Sequence, residues 1–135
     1  MQATQIARQV FGNTNSPTLV LDGTDYDYQV VEGLDVTIEN DQPMILVDFN
    51  AVISFSVNPG IVRFAMNVDN AVDSSQVIEI TSTATAAVMF AGFFALTIGP
   101  GSHRYRLTMS CDNAATATLT AKQRRMRVQG MIGLT

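Results

Sequence analysis

The sequence predicts an all-β chain, folded as a sandwich or barrel of roughly ten strands. Three observations lead there. Apolar residues recur at every second position in segment after segment, the period of a strand with one dry and one wetter face. Strong turn signals interrupt these segments, notably Val57-Asn58-Pro59-Gly60 and Gly99-Pro100-Gly101-Ser102, where Pro fixes one φ and Gly accepts a positive one. No stretch calls for a helix longer than a turn or two.

Taken in order, residues 1–17 read as an arm. Ile6 and Val10 would share a helical face, but Gly12-Asn13-Thr14-Asn15-Ser16-Pro17 stops anything regular. Residues 18–135 form the domain. Thr18–Leu21 is a first short strand, ending at Asp22-Gly23. Tyr26–Val31 and Leu34–Ile38 follow as two strands separated by Glu32-Gly33. The long strand from Met44 places Val47, Phe49, Ala51, Ile53 and Phe55 on one parity and Asp48, Asn50, Ser54 and Ser56 on the other. Val62–Val68 and Gln76–Ser82 come next. From Val88 to Ile98 both parities are apolar, which predicts a strand covered on both faces. His103–Ser110 points Tyr105, Leu107 and Met109 inwards. Ala115–Leu119 and Arg125–Gly130 complete the series.

The totals restrict function. A chain of 135 residues is one domain, long enough to bury roughly two-thirds of its unfolded surface without staples. Cys111 is the single cysteine, so no internal disulfide forms, and a lone thiol is by default a small buried hydrophobe. Residues 1–8 contain no apolar secretion core, and the apolar run from Ala86 to Leu96 is shorter than the roughly 20 residues a membrane helix needs. The chain is therefore expected to be soluble, made in the cytosol, and without membrane contact. Charged residues make up only 15% of it, and the net charge of −4 argues against nucleic acid as a partner.

Charge is also unevenly placed. Asp22, Asp25, Asp27, Glu32, Asp35, Glu39 and Asp41 crowd the first third, against Arg8 alone. Arg104, Arg106, Lys122, Arg124, Arg125 and Arg127 crowd the last. The basic run Lys122–Arg127 has no aromatic residue interleaved for single-stranded nucleic acid. It reads either as a solvated strand end or as a surface that pairs with acids, those of a neighbouring subunit or of a shell.

Catalytic signals are missing. His103 is the only histidine, its neighbour Ser102 points to the opposite strand face, and metal cupins need several His ligands. Asp22-Gly23-Thr24-Asp25-Tyr26-Asp27 loosely resembles a calcium loop but lacks the alternating ligands and the distal Glu. Asp69, Asn70, Asp73 and Ser74 read first as turn formers. There is no zinc spacing, nucleotide-binding glycine loop or paired catalytic carboxylate. The expectation is a protein that is not an enzyme and takes no cofactor or metal.

The last third carries a resemblance. Gly101-Ser102-His103-Arg104-Tyr105-Arg106-Leu107-Thr108, the small-residue passage to Ala115-Thr116-Ala117-Thr118-Leu119, and Arg125-Met126-Arg127-Val128 together resemble the C-terminal signature of jelly-roll domains in bacteriophage virion proteins and tumour-necrosis-factor-like trimeric heads. Val47–Ser54 followed by Val62–Asp69 fits the same pattern, so the likeness spans residues 34–130. The loop after the long strand is shorter than is usual there, clipped to Asn58-Pro59-Gly60. The resemblance implies a two-sheet antiparallel jelly-roll sandwich of about 8–10 strands that trimerises, with an extended N-terminal arm. It implies a virion component assembled in the host cytoplasm, a decoration or cement protein whose partners are its own copies and the major capsid protein or another virion protein. Ile6, Arg8, Val10 and Phe11 of the arm, with Arg104, Arg106, Arg124, Arg125 and Arg127, are the candidate interaction residues. The rival reading is a fibre or tail head that binds a cell-surface glycan or receptor, with Tyr26, Tyr28 and Tyr105 as its aromatic rings.

Overall fold

Strand β4 (Met44–Phe55) sets the pattern for the molecule: every second residue from Ile45 to Phe55 is buried and the residues between them face outward. The computed structural model describes residues 7–11, 16–24, 27–40 and 44–131. Within them lie ten strands: β1 (Ala7–Phe11), β2 (Thr18–Leu21), β3 (Gln29–Asn40), β4, β5 (Gly60–Val68), β6 (Ala71–Val72), β7 (Ile78–Ser82), β8 (Val88–Thr97), β9 (Gly101–Cys111) and β10 (Ala115–Met131).

They form two antiparallel sheets. One has the order β1-β10-β4-β8, with β2 also on β10; the other has the order β3-β9-β5-β6, with β7 also on β5. From β3 onward successive strands alternate between the sheets, except that β5, β6 and β7 all lie in the second, with β6 and β7 each paired to β5. This is a jelly-roll sandwich. The period-2 pattern dictates it, since each sheet has one apolar face and the two must be buried against each other.

Between the sheets lies an aromatic centre. Phe49 of β4 meets Phe64 of β5 across the sandwich at 4.9 Å between ring centroids, and stacks on Phe94 of β8 at 5.9 Å. Phe90 reaches Phe64 at 5.6 Å. Gly92 lies opposite Phe49 on β8, and a Cβ there would stand 2.6 Å from Ile78 Cδ1 and 3.2 Å from Phe49 Cε1. A side chain at this position would push into rings already in contact, and close-packed cores give way only at a cost of about 1–3 kcal/mol.

Four expectations are corrected. The strands read as Tyr26–Val31 and Leu34–Ile38 are one strand, β3; Tyr26 lies outside the described residues. Glu32-Gly33 is a bulge where the register with β9 shifts between Val30 and Asp35, and Gly33, at φ 87°, lets the strand bend and continue. The segments Ala115–Leu119 and Arg125–Gly130 are likewise one strand, β10, irregular between Leu119 and Arg124, with Lys122 at φ 63°. Part of the supposed arm belongs to the sandwich: Ala7–Phe11 pair antiparallel with Gln129–Arg125, because β10 extends far enough past β2 to offer a second edge. Finally, β8 is not covered on both faces within the chain. Its inward residues are buried, but Met89 and Phe93 are exposed.

Candidate interaction surface

The outward face of the β1-β10-β4-β8 sheet is laid out by the ladder register. Phe93 lies opposite Asp48, which lies opposite Arg127, which lies opposite Gln9. The next row runs Ala91, Asn50, Arg125, Phe11. Met89 stands opposite Val52, and Ala95 opposite Leu46. Two apolar margins, one on β8 and one on β1, thus flank a polar centre.

The centre is internally satisfied. Asp48 Oδ1 forms an ion pair with Arg125 Nη2, and its Oδ2 accepts from Arg127 Nε, both at 3.0 Å. Asn50, turned as its neighbours favour, accepts from Arg125 Nε and Nη2 at 3.1 and 3.2 Å. One carboxylate holding two guanidiniums leaves an excess positive charge at this part of the face.

The margins are unusual. The large hydrophobic side chains that the described residues expose are Phe11 (61%), Val20 (74%), Met44 (47%), Val57, Val72, Met89 (65%) and Phe93 (69%). All but Val57 and Val72 project from this one face. A scattering of exposed hydrophobics is ordinary; here they collect on one sheet.

The free edge of β8 is partly stopped. The Gln76 side chain accepts from the Ala95 N–H at 3.0 Å and donates to the Ala95 carbonyl, so one amide takes the place of a neighbouring strand. By the alternation of an antiparallel ladder, Phe93, Ala91 and Met89 turn their backbone groups to the same side. No strand among the described residues pairs with them.

The opposite sheet presents a polar exterior. Arg104 grips Asp35 through Nε and Nη2, at 2.9 and 2.5 Å, and this contact holds the Asp35 carboxyl below its usual range. Arg106 Nη2 donates to Asn70 at 2.7 Å and to Asn67 at 3.3 Å. Arg63 Nη1 pairs with Asp112 at 2.7 Å.

The candidate residues therefore separate. Ile6 lies outside the described residues. Arg8 stands opposite Val128 in the β1–β10 ladder, and Val10 packs against the core margin. Phe11, Arg125 and Arg127 share the apolar-rimmed face. Arg104 and Arg106 lie on the other sheet. Arg124 is no surface residue: it is 1% exposed, its Nε donates to the Glu32 carbonyl at 3.0 Å and its Nη1 to the Thr120 carbonyl at 3.2 Å, and burial pushes its pKa down. It shares the inward parity of Met126 and Val128. The acids and bases that lie far apart in the sequence also meet within the chain, because β3 adjoins β9 and β4 adjoins β10.

The other candidates resolve into structure. Asp22 Oδ1 accepts from both the N–H and the hydroxyl of Thr24, and Asp73 Oδ1 does the same for Ser75. Asp25 lies outside the described residues, and no group of His, Cys, Asp or Glu among the described residues could hold a metal. Tyr105 is buried, which with the nearby Asp69 charge pushes its hydroxyl up to about 12, so it offers no ring to a sugar. Cys111 is buried, its thiol donating to the Asn113 carbonyl. No cavity opens among the described residues.

Comparison with known proteins supports the architecture. No family model matches the chain, and no curated protein is similar to it in sequence. Among solved structures it is similar to Eiger TNF from S. frugiperda, with a TM-score of 0.63 over 97% of this chain and 95% of that one, at 13% identity. It is also similar to a chain of infectious bursal disease virus, Gx strain, with a TM-score of 0.55 over 96% of this chain and 33% of that one, at 8% identity. These likenesses establish the jelly-roll fold.

The structure also brings out what sequence reading passed over. Met89 and Phe93 carry the exposed margin, and their signal was the double apolarity of residues 88–98. Gln76 had no signal, since its role depends on a contact between the two sheets.

Proposed function

We propose that this chain is a non-enzymatic structural protein of a bacteriophage virion, a homotrimer that sits on the capsid as a decoration protein and binds the major capsid protein. One observation carries the reading: the exposed apolar side chains gather on one face of one sheet, while the other sheet turns a hydrogen-bonded polar face outward. A heterologous ring needs two different patches on each subunit. The β8 strip and the Phe11 and Val20 margin, at opposite edges of the same sheet, are such a pair. The resemblance of residues 34–130 to phage virion jelly rolls supports a ring of three and the capsid as the larger partner.

The mechanism is mechanical. Each trimer bridges neighbouring shell subunits and adds buried area worth at most about 25 cal/mol per Å², less the cost of association. Particles carrying the protein are expected to survive heating that disrupts particles stripped of it. Equal resistance of the two in a thermal-shift assay contradicts the proposal.

A further inference from the structure

The single histidine occupies a position that its own chemistry makes conditional. His103 Nδ1 lies 2.5 Å from Asp69 Oδ2, and Nε2 lies 2.7 Å from the Gly99 carbonyl oxygen. A carboxylate and a backbone carbonyl only accept hydrogen bonds, so both ring nitrogens must carry protons for both contacts to be bonds. A neutral imidazole carries one proton and can keep one of them.

We infer that His103 is a proton-dependent clamp, which fastens the β5–β6 turn to the β8–β9 turn while its ring is protonated and lets one of them go when the ring is neutral. The inference is separate from the assembly proposed above.

The β5–β6 turn is also tied to β9 by bonds that do not involve the imidazole. Asp69 and Asn70 form the two-residue β5–β6 turn at φ 51° and 72°, left-handed conformations that Asp and Asn adopt more readily than other non-glycine residues. The turn's contacts to β9 converge on Asp69. Its Oδ1 accepts from the Arg104 N–H at 2.9 Å and its own N–H donates to the Arg104 carbonyl at 3.0 Å. Asn70 is held by Arg106. On the other side, residues 99–101 form a turn around Gly101, at φ 122°, where His103 reaches back to Gly99.

The surrounding charges all favour the protonated ring or are engaged elsewhere. Asp69 faces it from the β5–β6 turn. The Tyr105 ring meets it edge-on at 6.5 Å, and that hydroxyl is neutral below about 12. Arg104, the next residue on β9, is taken up by Asp35 of β3. Opposite on β3 stand Ile38, the partner of His103 itself, and Glu39, the partner of Ser102. The Asp69 hydrogen bond, helped by the Gly99 and Pro100 carbonyls, raises the His103 pKa, and the same contact lowers that of Asp69.

The direction of the pH effect follows. A raised histidine pKa stabilises the folded state fully below the ordinary value of about 6.5 and loses that contribution as pH climbs through the folded value. A lowered aspartate pKa contributes above its ordinary value and fails only in strong acid. The clamp is therefore closed below the ordinary histidine value and opens as pH climbs through the raised folded value.

The test uses the full chain and its one imidazole. An NMR titration of the ring is expected to give a midpoint above that of histidine in an unstructured peptide. Through that midpoint, hydrogen exchange at the Arg104 amide, which reports on the Asp69 side, or at the Gly99 and Gly101 amides of the other turn should rise several-fold beyond the ordinary pH trend, while the Asn113 amide at the far end of the sandwich follows the trend alone. In His103→Gln the extra rise should vanish. A midpoint at or below the peptide value, or no step at any of these three amides in the wild-type chain, overturns the inference even if the variant fails to fold.

Discussion

Arg124→Ala is expected to lower stability by about 3–5 kcal/mol, seen as a fall in the denaturant midpoint with little change in slope. The reasons lie in what this side chain joins. Its Nε bonds the Glu32 carbonyl inside the β3 bulge, and its Nη1 bonds the Thr120 carbonyl inside the irregular stretch of β10. One buried guanidinium thus ties together the two irregular points of opposite sheets. Truncation strands two carbonyls, at about 1–3 kcal/mol each, and leaves the space of a long side chain unfilled. Arg124→Met keeps most of the volume and gives up an ion whose burial is itself costly, so its loss should be distinctly smaller than that of Arg124→Ala. Equal, small effects of under 1 kcal/mol for both variants would show that the bulges hold without it.

Gly23→Val should cost nearly as much, about 2–5 kcal/mol. Gly23 sits at φ 83°, and a Cβ added there would lie 2.6 Å from the Ala114 nitrogen and 3.0 Å from the Asn113 carbonyl carbon. Both obstacles are backbone atoms of the β9–β10 turn, so no side chain can swing away. Backbone strain at a positive φ contributes about 1–3 kcal/mol, and the forced displacement a similar amount. Gly99→Ala is the matched control: nothing lies within 4 Å of its Cβ position, and its effect should stay within about 0.5 kcal/mol. A Gly23 variant as stable as the Gly99 variant contradicts the close approach of these two loops.

Much of the fold was legible because its signals are local. The alternation of β4 needs only neighbouring residues, and so does the turn after it, where the Asn58 side chain accepts from the Gly60 N–H and Gly60 takes φ 73°. What was misread depends on distant pairing. Glu32-Gly33 looks the same whether a strand ends or bulges, and only the partner β9 decides. Ala7–Phe11 has too few residues to declare a strand before β10 supplies its edge. Arg124 had the right parity, alongside Met126 and Val128, yet its charge argued for the surface; its burial arises from the carbonyls that two bulges turn towards it. The face with Met89 and Phe93 was half legible. Apolarity on both parities says that the strand is covered twice, whereas the described residues cover only one face and leave Met89 and Phe93 exposed.

The mass of the purified protein in solution tests the central claim most directly, because the proposed trimer buries the apolar face of the β1-β10-β4-β8 sheet against copies of this chain. Light scattering on the full chain should give three times the 14.6-kDa protomer mass, and Phe93→Asp, which places a carboxylate in the β8 strip beside Asp48, should give a folded monomer. A wild-type chain that stays monomeric at every concentration, or a Phe93→Asp variant that remains a trimer, would contradict the account.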